Sequence, residues 1–278
     1  MKFYKYQGAG NDFLIADNRD GALSLTTEQI ASLCDRRYGV GADGLMLLES
    51  SDKCDFRMTY YNSDGSGGMM CGNGGRCIVA FAADRGMTHF DFEAADGFHA
   101  AEIIEADANV KTVRLKMKDV EKAERYDSLT GPVSPSSGCF LETGTRHYVR
   151  FVSGIEGYDV VAEGRDIRYN AEELKPIGAN VNFVEPKADA LYVRTYEKGV
   201  EDETYACGTG IVASCLAAFV AGVKPSSVMA DGRFVYGVKA KRDSLSVDFM
   251  PGSCGLLAED VWLTGPATFV AEININTI

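Results

Sequence analysis

Met70-Cys71-Gly72-Asn73-Gly74 and Ala206-Cys207-Gly208-Thr209-Gly210 are two versions of one pattern: a cysteine, a loop of small residues, then an apolar run. The first run predicts a helix over residues 75–83 that stops near Gly86. The second predicts one over residues 211–221 that stops at Gly222, with Pro225 beyond. Glycine just past the last apolar turn, with proline soon after, is how helices commonly end. Both runs are apolar on nearly every face, which puts these helices inside the protein with sheet around them. Each half of the chain carries one copy. The doubling therefore predicts an α+β fold of two similar lobes, each a curved, mostly antiparallel sheet wrapped around a central buried helix, with the active site in the cleft between them.

The rest of the chain fits strands and tight turns. Glycine is frequent (30 residues) and proline scarce (7). Strands are expected at residues 56–61, 89–92, 110–117, 148–152, 190–196, 234–240 and 245–250, several with the alternation of a half-buried strand, as in Val113-Arg114-Leu115-Lys116-Met117. Met1-Lys2-Phe3-Tyr4-Lys5-Tyr6 alternates in the same way and reads as the first strand rather than a leader peptide. Residues 27–38 predict an amphipathic helix capped by Thr26 or Thr27, with Ile30, Leu33 and Cys34 on one face. Residues 126–138, rich in Pro, Ser and Gly, read as a connection near the midpoint.

Composition narrows the function. A net charge of −12 argues against nucleic-acid or anionic-membrane partners, which call for clustered Lys and Arg. No apolar run approaches the roughly 20 residues needed to span a bilayer, so the chain reads as cytoplasmic. Eight cysteines without a Cys-x-x-Cys pair, and three histidines, give neither a disulfide framework nor a zinc-ligand spacing. No metal is expected.

A cysteine at a helix start has a specific chemistry. Unpaired N–H groups and roughly half a positive charge gather there, and they favour the thiolate over the thiol. The glycines let N–H groups crowd around an anion such as a carboxylate. Two such devices can take a proton from one side of a carbon and return one to the other. A lone Cys-Gly pair is more often core or turn; the repetition is what points to chemistry. Cys77 and Cys215 lie within the apolar runs and read as packing residues.

Taken with Tyr6-Gln7-Gly8-Ala9-Gly10-Asn11-Asp12-Phe13, Arg37-Tyr38-Gly39-Val40-Gly41-Ala42-Asp43-Gly44, Asn62-Ser63-Asp64-Gly65-Ser66 and Met70–Cys77 in order, the chain resembles diaminopimelate epimerase over nearly its whole length. The resemblance implies a cofactor-independent isomerase, without pyridoxal phosphate or metal, that interconverts LL- and meso-diaminopimelate on the route to lysine and peptidoglycan. It implies an N-terminal lobe over residues 1–118, completed by a last strand over 264–278, and a C-terminal lobe over 119–263. It assigns acid–base roles to Cys71 and Cys207, and the reacting carboxylate to the N–H groups of Gly72, Asn73, Gly208 and Thr209. Asn11, Asn62 and Asn180 would hold the substrate's far end, Glu197 and His147 would lie near its amino group and tune the thiols, and Lys198 would face the distal carboxylate. The expected partners are the small-molecule substrate and, at most, a second copy of the chain in a homodimer.

Taken singly these residues have plainer readings. Asn11 and Asn62 sit beside turn residues, His147 can be an ordinary packing residue, and Glu197 can be solvated at a strand end. Arg37, Asp64 and Arg76 read as loop-bracing ion pairs. Two departures from the family pattern stand out. Lys198 replaces an arginine, a point charge in place of a two-pronged fork. Gly144-Thr145-Arg146-His147 lacks the family's proline before the histidine. The related proline racemase and hydroxyproline epimerase family is the nearest rival, but its first device reads Cys-Gly-His. A thiol redox protein or a non-catalytic amino-acid binder on the same scaffold is the alternative from another class.

Overall fold

The alternation at the N-terminus forms β1 (Lys2–Gly8), with Phe3 and Tyr6 buried, and a two-residue turn at Ala9-Gly10 folds it back on β2 (Asn11–Asp17). The computed structural model describes residues 1–125 and 138–276; the connection expected at residues 126–138 falls almost wholly outside them. From β2 the chain crosses through α1 (Thr27–Cys34) to β3 (Gly44–Glu49), which runs parallel to β2, and returns antiparallel as β4 (Phe56–Asn62). Next comes α2 (Gly72–Asp84), followed by β5 (Phe92–Ala94) parallel to β4, then β6 (Gly97–His99), β7 (Ala101–Ala106) and β8 (Val110–Lys116).

The second part of the chain repeats this scheme. β9 (Ala123–Arg125) pairs with β10 (Gly138–Glu142), which forms an antiparallel hairpin with β11 (Arg146–Phe151). α3 (Val160–Asn170) carries the chain to β12 (Asn180–Pro186), parallel to β11, and β13 (Leu191–Glu197) returns antiparallel. After β14 (Asp202–Thr204) comes α4 (Gly208–Val220). β15 (Ser227–Val228) then pairs with β16 (Phe234–Lys239), which lies parallel to β13, and β17 (Ser244–Pro251) is antiparallel to β16. The long β18 (Ala258–Asn274) closes the chain, its later part pairing with β1 and β8.

The chain divides into two compact units, residues 1–116 with 264–278, and residues 117–263. Within each, one helix is sheathed by sheet. α2 packs against β1, β2, β3, β7 and β8, and α4 against β9 to β13 and β17. Every residue of α2 from Gly72 to Ala82 is buried, as is nearly all of α4, because both sequences offer the sheet an apolar surface on all sides. The other helix of each unit covers the outer face of its sheet. Ile30, Leu33 and Cys34 of α1 pack on Phe3, Leu14, Leu45 and Leu47, whereas Val160 of α3 packs on Val181, Phe183 and Tyr196.

Three expectations need correction. α1 ends at Cys34 rather than at residue 38: the Asp35 carboxylate accepts the N–H groups of Arg37 and Tyr38, both at 2.7 Å, a local turn that competes with another helical turn. Its start is a full capping box, with Thr26 and Gln29 each bonding the other's backbone. The strand expected over residues 89–92 begins only at Phe92, which stacks on Phe56 at 5.0 Å. Both central helices begin earlier than their apolar runs, immediately after the cysteine. Among the described residues no helix is long and apolar enough to cross a membrane.

Candidate active site

In the first unit Cys71 is the N-cap of α2. Its backbone is extended (φ −117°, ψ 147°), its carbonyl takes the first helical bond from Gly75, and its half-buried Sγ accepts the Gly74 N–H at 3.2 Å. The sulfur thus occupies the place usually taken by a Ser or Asp oxygen. Beside it lie Asn11 and Asn73: Asn11 Oδ1 is 3.9 Å from Sγ and receives the Asn73 side-chain amide at 3.5 Å.

Asn11 is aimed by charges the sequence did not single out. Its Nδ2 donates to Asp43 Oδ2 at 2.6 Å. Arg36 bridges Asp43 and Asp12, at 2.6 Å to each, and Lys5 pairs with Asp12 at 2.8 Å. Burial pushes the Asp12 carboxyl up, but hydrogen bonds from Arg36 and Lys5 outweigh it and leave it at about 2. The arginine that braces this loop is therefore Arg36, not Arg37. Arg76 braces too, though through oxygens of its own surroundings: fully buried, it donates to Gly72 O, Asn73 Oδ1 and Pro266 O. Asp64 closes a turn by accepting the Ser66 N–H and hydroxyl. Asn62 belongs to the same turn, donating to Ser66 Oγ at 3.0 Å.

In the second unit Cys207 is the N-cap of α4, buried, with its Sγ 3.5 Å from Thr209 Oγ1. His147 Nε2 lies 2.9 Å from Thr209 Oγ1 and 2.9 Å from Thr145 Oγ1, and those hydroxyls are 3.2 Å apart. Thr143 holds the Thr209 carbonyl at 2.9 Å. Burial alone pushes the His147 imidazole down to about 3, so it is neutral at working pH. Asn180 is an anchor: its Oδ1 accepts the Lys198 N–H at 2.8 Å, and its Nδ2 donates to Arg146 O at 3.1 Å and Thr145 Oγ1 at 3.4 Å. Lys198 is exposed and enters this set through its backbone; Glu197 ends β13 half-buried, opposite Asp202.

Thr145, which departs from the family pattern, thus supplies a hydroxyl to the imidazole and to the cysteine's neighbour. The sequence reading missed Asp43, Arg36, Asn182 and Thr195. Asn182 backs His147 at Nδ1 and Thr195 backs Asn182, which stands between Val181 and Phe183 in the buried part of β12. An amide in such a run calls for partners, and that signal was present in the sequence. Among the described residues no three His, Cys, Asp or Glu side chains converge as metal ligands would.

Comparison with known proteins identifies relatives of the chain. The family model described as diaminopimelate epimerase matches residues 3–122. A diaminopimelate epimerase of Chlorobaculum tepidum is 44% identical over 276 residues, 97% of this chain and 99% of the relative. Among solved structures, a Bacillus anthracis phenazine biosynthesis protein of the PhzF family superposes with a TM-score of 0.72 at 14% identity, covering 100% of this chain and 99% of that one. A probable proline racemase from Agrobacterium radiobacter, with bound carbonate, gives 0.69 at 14% identity, covering 100% and 93%. At such identities the two structures speak for the fold alone. By the sequence relationship, the chain belongs to the diaminopimelate epimerase family.

Proposed function

We propose that this protein is an isomerase that interconverts LL- and meso-diaminopimelate without a cofactor, on the route to lysine and peptidoglycan precursors, with Cys71 and Cys207 as its two acid–base groups. The observation that carries the reading is the pair of cysteines, each the N-cap of a sheathed helix and each followed by N–H groups with no helical partner.

The chemistry follows from that arrangement. One sulfur, as thiolate, takes the α-proton; the electron pair moves into the adjacent carboxylate; the other sulfur, as thiol, delivers a proton to the opposite face. Thiol and thiolate exchange roles, and nothing else is consumed. The difficult species is the doubly charged carboxylate of the intermediate. N–H groups of Gly72, Asn73, Gly208 and Thr209, fixed by their helices before reaction, stabilise that charge without reorganising. Asn11 and Asn180 are held rigidly enough to orient the substrate, and Lys198 supplies a cation for its distal end. Both thiols must stay reduced, which suits the cytoplasm.

Substrate class separates this reading from its neighbours. Purified protein incubated with LL-diaminopimelate, and separately with L-proline and trans-4-hydroxy-L-proline, is expected to convert the first to the meso form and leave the cyclic acids unchanged. Racemisation of proline with no turnover of diaminopimelate would move the protein to the cyclic-substrate class. Binding without any inversion would make it a binder.

A further inference from the structure

The polar residues behind His147 form a connected set of hydrogen bonds. The orientation of the Asn182 amide is settled by its neighbours. One end lies 3.3 Å from the Tyr148 carbonyl, which can only accept, so that end is Nδ2; the other end, Oδ1, receives the Thr195 hydroxyl at 3.0 Å. The second Nδ2 proton points at His147 Nδ1, 3.1 Å away. Nδ1 is therefore an acceptor, and the single proton of the neutral imidazole sits on Nε2. From Nε2 it is shared by Thr145 Oγ1 and Thr209 Oγ1. Thr145 also receives the Asn180 amide, so its own proton turns to Thr209, and the Thr209 proton is left for Cys207 Sγ at 3.5 Å.

We propose that Asn182 and Thr195 are positioning residues that lock His147 in its Nε2–H tautomer, so that a one-way chain of neutral donors, Thr195 to Asn182 to His147 to Thr209, ends on the Cys207 sulfur. A hydroxyl aimed at the sulfur favours the anion over the thiol. The chain holds no charge: burial keeps the imidazole neutral, and the other members are amides and hydroxyls. The thiolate is thereby favoured without a cation that would later compete for the substrate's carboxylate. The close fit of α4 supports the assignment. A Cβ on Gly210 would stand 2.3 Å from Asn182 Oδ1 and 3.2 Å from His147 Cε1, so the third residue after Cys207 is glycine where the helix meets this amide.

The proposal rests on Cys207 being one of the two acid–base groups, and its test is read on the sulfur rather than on turnover. Alkylation of Cys71 and Cys207 by iodoacetamide is followed across pH by mass spectrometry, in the wild type and in the Asn182→Leu, Thr195→Val and Thr195→Ser variants. The midpoint of Cys207 should rise by about one pH unit in Asn182→Leu, tenfold in thiolate at a fixed pH. It should rise by less in Thr195→Val and return to the wild-type value in Thr195→Ser, while Cys71 keeps its midpoint throughout. A Cys207 midpoint unmoved in folded Thr195→Val and Asn182→Leu overturns the proposal, and so does an equal shift at Cys71. Should Asn182→Leu fail to fold, the valine–serine pair at residue 195 decides. Full activity of Cys207→Ala would instead strike the role given to Cys207, and the alkylation result would still report on the relay.

Discussion

Cys71→Ala and Cys207→Ala should each lose inversion of diaminopimelate by at least about 10³-fold, within the range a positioned acid–base group supplies. The losses should not be equivalent in kind. With one sulfur gone, the other can still remove the α-proton from whichever stereoisomer presents it, exchange that proton with solvent and return a deuteron to the same face. In deuterated water one variant should therefore wash label into the LL carbon without inverting it, and the other variant should do so at the inverted centre of the meso substrate. This complementary pattern also reveals which cysteine is the base in each direction. Both variants inverting at near wild-type rates would contradict the two-sulfur scheme. So would both catalysing exchange of the same isomer.

The second large effect is on stability against pH, and it comes from His147. The imidazole titrates at about 3 in the folded protein because burial opposes its charged form, whereas an unfolded histidine titrates near 6.5. Between those values the unfolded chain binds a proton that the folded one refuses, so stability is complete above about pH 6.5 and falls as pH drops toward 3. The loss is on the order of a few kcal/mol. Asp12 acts in the same direction but lower: its folded value of about 2 lies below the usual carboxylate range, so its contribution fades only as pH falls below about 4. The window from pH 6.5 to about 5.5 therefore belongs to His147, because Glu201, held at about 2 in the folded protein, and other carboxylates contribute only below it. Denaturant midpoints measured there should fall with pH in the wild type and be nearly flat in His147→Gln, whose side chain does not titrate. Parallel slopes in the two proteins would contradict the assignment.

Much of this was legible in the sequence, for identifiable reasons. The repeated device announces itself because a cysteine followed by two glycines flanking one polar residue is unusual before an apolar run. The apolar run is in turn unusual in having no polar face, so both the sheathed helices and their capping cysteines could be read directly. α3 could not. Charged residues at Glu163, Arg165, Asp166 and Arg168 break any apolar run, and Gly164 interrupts the helix because a Cβ there would lie 2.4 Å from Tyr196 Cβ. Its helicity comes from packing rather than propensity. Arg36 and Asp43 escaped notice because ion pairs form between residues distant in sequence, and a charged loop looks alike whichever arginine does the pairing. Asn182 and Thr195 were hidden differently. Neither type nor spacing marks their partners, and only the fold reveals that Thr195 bonds Asn182 and Asn182 in turn bonds the imidazole.

The two-sulfur claim is tested most directly by the isotope pattern of the first turnovers. Wild-type protein is mixed with LL-diaminopimelate in deuterated water and stopped at a few per cent conversion, and both isomers are analysed. Opposed bases predict meso product with one deuterium at the inverted carbon and recovered LL substrate with none, because the incoming hydrogen arrives from a sulfur already equilibrated with solvent. Protium at the inverted carbon of the product, or label appearing equally in recovered substrate from the start, would mean a single base working both faces and would contradict the account.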